Sequence, residues 1–252
     1  MKMFSLTLKF ILFFGILCSV QTSYAQIETS SSVAIQKAAA ESKYIFLFFY
    51  KDKNESTLHL QKVLDQTLIK LKEVKSLSIN LNDPSEKPII NRFKLKGTPM
   101  PFVIVLAPNG AITGGFSTFT QQQLINSIIS PGAASCHKAL QERKLVILCL
   151  QNEKTANNKS ALQAANEFKA DPRFAKATEI VMIDPSDIRE HAFLKQLDLN
   201  LHSSESMTVL IYPPAVVIGK HEGVTTKEQL VSNLKQTTSG CGEGKCCPGG
   251  CK

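Results

Sequence analysis

The sequence predicts an α/β protein laid down twice, followed by a tail of different character. Three observations predict this. Short, β-rich apolar runs such as Tyr44–Tyr50 and Phe102–Leu106 alternate with segments whose apolar residues recur at helical spacing. The pattern then repeats: Lys43–Tyr50 matches Lys144–Gln151, 101 residues on, and Asp83-Pro84-Ser85-Glu86 matches Asp184-Pro185-Ser186-Asp187 at the same spacing. From Thr237 the composition changes abruptly to glycine, cysteine and lysine.

The 252 residues allow one or two domains, and a hydrophobic fraction of 43% is ordinary for a globular protein, enough to bury a core. The net charge of +8 is spread along the chain, with no basic run interleaved with aromatics, so no nucleic-acid footprint is present. Lys2 and Lys9 accompany an apolar run, Phe10–Val20, too short to span a bilayer comfortably, and Ser23-Tyr24-Ala25 follows. This reads as a signal peptide over 1–25, cleaved after Ala25, which leaves no membrane segment and removes Cys18. Six cysteines remain, an even number in an exported chain, where disulfides are permitted.

The elements come in order. Ser31 or Ser32 caps a short helix to about Ser42, and Tyr44–Tyr50 is a central strand, having no polar interruption. Leu60, Val63, Leu64, Leu68 and Leu71 mark a helix from Thr57 to about Glu73. Leu77, Ile79 and Leu81 alternate as a strand does. Asp83 caps the next helix, with Pro84 at its first position and Glu86 completing a capping box. Phe102–Leu106 is a strand buried on both faces, and Asn109-Gly110 predicts a type I′ hairpin turn after it. Gln121–Ile128 is the last helix of the first copy. Ser130-Pro131-Gly132 is the expected linker. In the second copy Thr226–Leu230 matches Thr120–Leu124 at a spacing of 106, which puts five extra residues within Leu197–Ser206 and sets Met207 opposite Pro101.

The stretch Lys96–Phe116, KGTPMPFVIVLAPNGAITGGF, together with the order α-β-α-β-α-β-β-α, resembles a thioredoxin fold. The resemblance implies a central mixed sheet flanked by helices in each of two tandem thioredoxin-like domains, over 26–130 and 131–237. It also implies a cis-proline loop at Met100-Pro101, with Pro99 the other candidate, and no such loop in the second copy. With its Cys/Gly-rich end at 238–252, the chain resembles a group of exported bacterial proteins that have two such domains and no Cys-x-x-Cys. That resemblance implies a periplasmic or secreted protein, and carries no settled activity.

Thioredoxin-like oxidoreductases place Cys-x-x-Cys where the first central strand enters the long helix, because the helix N-terminus stabilises a thiolate. Here that loop holds Lys51, Asp52, Lys53, Asn54 and Glu55, and the second copy offers Asn152-Glu153-Lys154-Thr155. Neither has a thiol, so redox catalysis at those sites is not expected. The vacated first loop is a solvated turn with a helix cap, or a place for a partner or a small anion. Cys149 interrupts an apolar strand and reads as a core thiol, and Cys136 lies near the start of a helix. A disulfide between them requires Cα atoms within about 7 Å.

The tail carries Cys241, Cys246, Cys247 and Cys251 with no apolar residue to build a core, so it is expected to be flexible unless crosslinked. Clustered thiolates suit a soft ion, Cu(I) or Zn(II), whereas the spacing contains no C-x2-C knuckle of a structural zinc site. The same cysteines can instead form two disulfides, or have no role. Two function classes result: a non-catalytic exported binding protein whose tail holds a metal, or a thiol-disulfide oxidoreductase using tail cysteines. A third reading is a plain interaction module with an incidental tail. The partner is then another exported protein, and no organic cofactor is expected.

Overall fold

The structure is a computed structural model that describes residues 29–71 and 73–239. The leader at 1–25 and the four tail cysteines lie outside the described residues.

The first unit runs α1 (Ser30–Ala40), β1 (Tyr44–Tyr50), α2 (Glu55–Lys70), β2 (Val74–Asn80), a 3₁₀ turn at Pro84–Glu86, α3 (Lys87–Arg92), β3 (Phe102–Leu106), β4 (Ile112–Phe116) and α4 (Gln121–Asn126). The second runs α5 (Pro131–Gln141), β5 (Leu145–Leu150), α6 (Asn158–Ala170), β6 (Thr178–Ile183), a 3₁₀ turn at Ile188–Glu190, α7 (His191–Gln196), β7 (Met207–Tyr212), β8 (Val216–Glu222) and α8 (Lys227–Ser239). The sheet orders are β2-β1-β3-β4 and β6-β5-β7-β8. In each, the first pair is parallel and the other two are antiparallel. Each unit is therefore a thioredoxin-like mixed sheet flanked by helices.

The strand period of two sorts the core. Ile45, Leu47 and Phe49 face α1 and α3, and Phe46 and Phe48 face α2 and α4. The second unit does the same with Val146, Leu148 and Leu150 on one side and Leu145, Ile147 and Cys149 on the other. Burial on both faces is why β1, β3 and β5 read as unbroken apolar runs, and β7 does so but for the buried Thr208.

Local details depart from expectation for physical reasons. Thr29 caps α1, its hydroxyl accepting from Ser32 N–H, a little earlier than the serines suggest. Asp83 does cap, but Glu86 forms no capping box: it is buried and its Oε1 accepts from Ser30 Oγ at 3.1 Å, which ties α3 to α1. The Asn109-Gly110 turn is not type I′, since of the two only Gly110 has positive φ, +79°. Gly110 N–H donates to Ala107 and Ala107 N–H to Ala111, a three-residue loop with the left-handed position taken by glycine. The expected linker Ser130-Pro131-Gly132 joins the two units as the start of α5: Ser130 caps it, Pro131 fills its first position, and Gly132 packs beneath Ile183 and Glu190.

The register of the repeat is also corrected. The spacing is 101 at β1/β5, 104 at β2/β6, 105 at β3/β7 and 106 at the final helix. Asp83 thus corresponds to Asp187, both capping 3₁₀ turns, and Asp184 corresponds to Asn80, each side chain accepting from the N–H two residues on. The similar Asp-Pro-Ser strings are out of register. Three of the extra residues enter the β5–α6 loop, because buried Thr57, Leu60 and Leu64 of α2 correspond to Ala161, Ala164 and Phe168 of α6. Residue Ser206, not Met207, stands opposite Pro101.

Candidate functional site

Strand β1 delivers the chain into the loop Lys51–Asn54, and Asn54 stops the loop by accepting from Thr57 N–H at 2.9 Å, starting α2. Beside it, the peptide bond Met100-Pro101 is cis, and the bond into Pro99 is trans. Between these segments lies a groove of about 630 Å³, whose lining includes Leu81, Ile90, Leu95 and Met100, with Lys51, Lys87 and Lys96 around it. Asn82 Nδ2 donates to Lys51 C=O at 3.1 Å and fixes the loop against the 3₁₀ turn. The side chains of Lys51, Lys87 and Lys96 have no ion-pair partner among the described residues.

Of the loop residues singled out in sequence, Lys51 and Met100 share this groove. Lys53 turns to a separate, smaller cavity with Tyr50 and Leu58. Asp52 and Glu55 are exposed outside both, and Asn54 is the helix cap. Lys87 and Lys96 escaped sequence reasoning. The signal for them is weak: two of many scattered lysines, brought beside Lys51 only by the folded chain.

The matching site of the second unit is closed. The enlarged β5–α6 loop folds on itself, with Asn152 N–H donating to Thr155 Oγ1 and Asn158 Nδ2 to Asn152 C=O. Ala156 then forms a parallel bridge to Glu205: its N–H donates to Ser204 C=O at 2.7 Å, and its C=O accepts from Ser206 N–H at 2.9 Å. Asn157 Nδ2 adds a bond to Glu205 Oε2 at 2.6 Å. In the first unit Pro101 stands where Ser206 does and has no N–H, so the same strap cannot form. The second cis bond, Pro213-Pro214, lies in the β7–β8 turn, away from this position.

Cys136 and Cys149 are free and buried. They sit on opposite faces of the second sheet, Cys136 against Val146 and Leu148 and Cys149 beside Leu145 and Ile147, so the disulfide left open by the sequence is not made. Burial, and secondarily the Glu190 carboxylate, pushes the Cys136 thiol up to about 12. Burial alone pushes Cys149 up to about 11. Neither offers a thiolate near neutral pH. Among the described residues no group of three His, Cys, Asp or Glu is placed to hold a metal ion. No described helix is long and apolar enough to cross a membrane.

No family model matches the chain, and no curated protein matches it. Solved structures do. Thioredoxin O1 of Arabidopsis thaliana, in its oxidized state, is 14% identical over 39% of this chain and 88% of its own, with a TM-score of 0.33. The Drosophila melanogaster germline thioredoxin Deadhead is 21% identical over 39% of this chain and 90% of its own, with a TM-score of 0.32. The NTD_N/C domain of alkylhydroperoxide reductase AhpF from Enterococcus faecalis is 16% identical over 80% of this chain and 96% of its own, with a TM-score of 0.29.

Proposed function

We propose that this is an exported, non-catalytic thioredoxin-fold binding protein whose tail binds a soft metal ion, Cu(I) or Zn(II), through Cys241, Cys246, Cys247 and Cys251. One observation carries the reading. Neither strand-to-helix loop holds a thiol, and the two cysteines of the folded part are buried on opposite faces with their thiols held protonated. Thiol chemistry in the mature chain therefore falls to the tail, whose donor set is sulfur alone and suits a soft ion. When bound, the ion would be held by convergent thiolates on a glycine-rich backbone, and the folded units would serve as the binding platform.

The test is to express residues 26–252 and measure bound metal and free thiols, in air and after anaerobic reduction. One or more ions per chain, lost on truncation at Ser239, is the expected result. Stoichiometric metal retained after truncation overturns it. A second reading, disulfide exchange by a mobile tail dithiol, is favoured by the adjacency of Cys246 and Cys247. It predicts exchange activity that the Cys246→Ser, Cys247→Ser double variant loses.

A further inference from the structure

The two copies of the unit differ most at one place, and the difference points to a ligand. In the first, Lys51, Lys87 and Lys96 surround an apolar groove and are exposed and unpaired among the described residues. Lysines that cluster with carboxylates elsewhere are paired with them: Lys43 and Lys75 share Glu41, and Lys138 and Lys144 share Glu142. The one carboxylate lining the groove, Asp83, is occupied by hydrogen bonds from Ser85, which hold it below the usual carboxylate range. The backbone N–H and C=O of Met100 bond to no described residue. The corresponding positions of the second unit are Asn152, His191, Asn200 and Glu205, so the lysines are gone and a carboxylate has arrived. There the chain seats an extended piece of itself, Ala156, alongside the loop.

From these observations we propose that the groove of the first unit binds an extended acidic segment of a partner protein. Its carboxylates meet Lys51, Lys87 and Lys96, and its apolar side chains rest on Ile90, Leu95 and Met100. Charge disfavours the chain's own tail as the occupant, since residues 240–252 hold Glu243 against Lys245 and Lys252. The inference deepens the reading of the folded units as a binding platform, and it does not depend on metal at the tail.

The test is fluorescence anisotropy on the mature full chain. The probes are a labelled peptide of alternating glutamate and leucine and its counterpart with lysine for glutamate. The acidic peptide is expected to bind saturably, more weakly as salt shortens the screening length, and the basic one not to bind. Combined Lys51→Glu, Lys87→Glu and Lys96→Glu should weaken binding about tenfold. The same charge change at Lys62, Lys159 and Lys176, exposed positions away from the groove, should leave it within about twofold. All six lysines are solvent-facing, and circular dichroism melts verify that both variants fold. Equal loss in both variants, equal binding of the basic peptide, or no binding overturns the proposal. So does binding that begins only when residues 240–252 are removed, which would give the groove to the tail. Metal content read on the same samples keeps a failure of the tail chemistry separate from a failure of the groove.

Discussion

The first unit buries four phenylalanines, Phe46, Phe48, Phe49 and Phe119, among its aliphatic side chains and leaves its loop open, whereas the second buries one, Phe168, together with two thiols and straps its loop shut. Both share one sheet order and one helix arrangement. The contrast teaches that the fold is set by the two-faced apolar strands, while the openness of the strand-to-helix loop is set by a few residues at the strand ends. Three inserted residues and the exchange of Pro101 for Ser206 convert an open cleft to a filled one.

The sharpest break of this comparison lies in the cores. Phe48 and Cys149 are equivalent and both fully buried, so Phe48→Ala should cost about 3–5 kcal/mol in denaturant unfolding. Cys149→Ala, which removes a single heavy atom, should cost about 1 kcal/mol. Equal costs would mean that the two cores are not packed alike.

Alkali should act on the second unit through its buried Cys136 thiol, as it acts on the first through half-buried Tyr44, whose pKa burial also raises. Cys136 is raised from 9.0 to about 12, where the first unit has Ile35. A thiol ionises more readily in the unfolded chain, so its contribution is fully present below about pH 9 and is lost as pH rises through about 12. Cys136→Ala should flatten the fall in melting temperature over that window.

Next in size is Gly132, whose added Cβ would come within 2.4 Å of Ile183 Cδ1 and 2.8 Å of Glu190 Oε2. Its counterpart Ser31 carries a buried side chain at the same point of the first unit. Gly132→Ser should therefore cost about 1–3 kcal/mol, and Ser31→Gly should not relieve anything. Glu205→Ala removes one bond of the strap, and hydrogen exchange of the 152–157 loop should quicken roughly fivefold. Smallest of all, Glu41→Gln and Glu142→Gln each break an exposed lysine pair common to both units, and neither should move the melting temperature measurably.

Much of this was legible in the residues. Tyr44–Tyr50 and Phe102–Leu106 were bounded correctly because strands buried on both faces have no polar residue to blur their ends. The repeat was visible, but its middle was misaligned, since Asp184-Pro185-Ser186 imitates Asp83-Pro84-Ser85 three residues out of register. A short polar string carries turn chemistry that recurs in adjacent turns, whereas strand pairing fixes the count. The groove was half legible: Lys51 and Met100 follow from the strand ends, and Lys87 and Lys96 do not, because three-dimensional convergence leaves no mark in spacing.

The junction between the units has a consequence for the order in which the protein comes into being. Ser130 Oγ and Gly132 N–H both donate to Glu190, some sixty residues further on. On the ribosome, the first unit is fully synthesised while the start of α5 still awaits its acceptor. The bonds already available are short-range in time: Tyr44 OH to Ile129 C=O at 2.7 Å, and the Gln141 side chain to the backbone of Ile112. The open groove thus exists before the junction is locked, and a nascent chain stalled before residue 190 would carry a complete first unit on a stem whose first turn lacks its anchor.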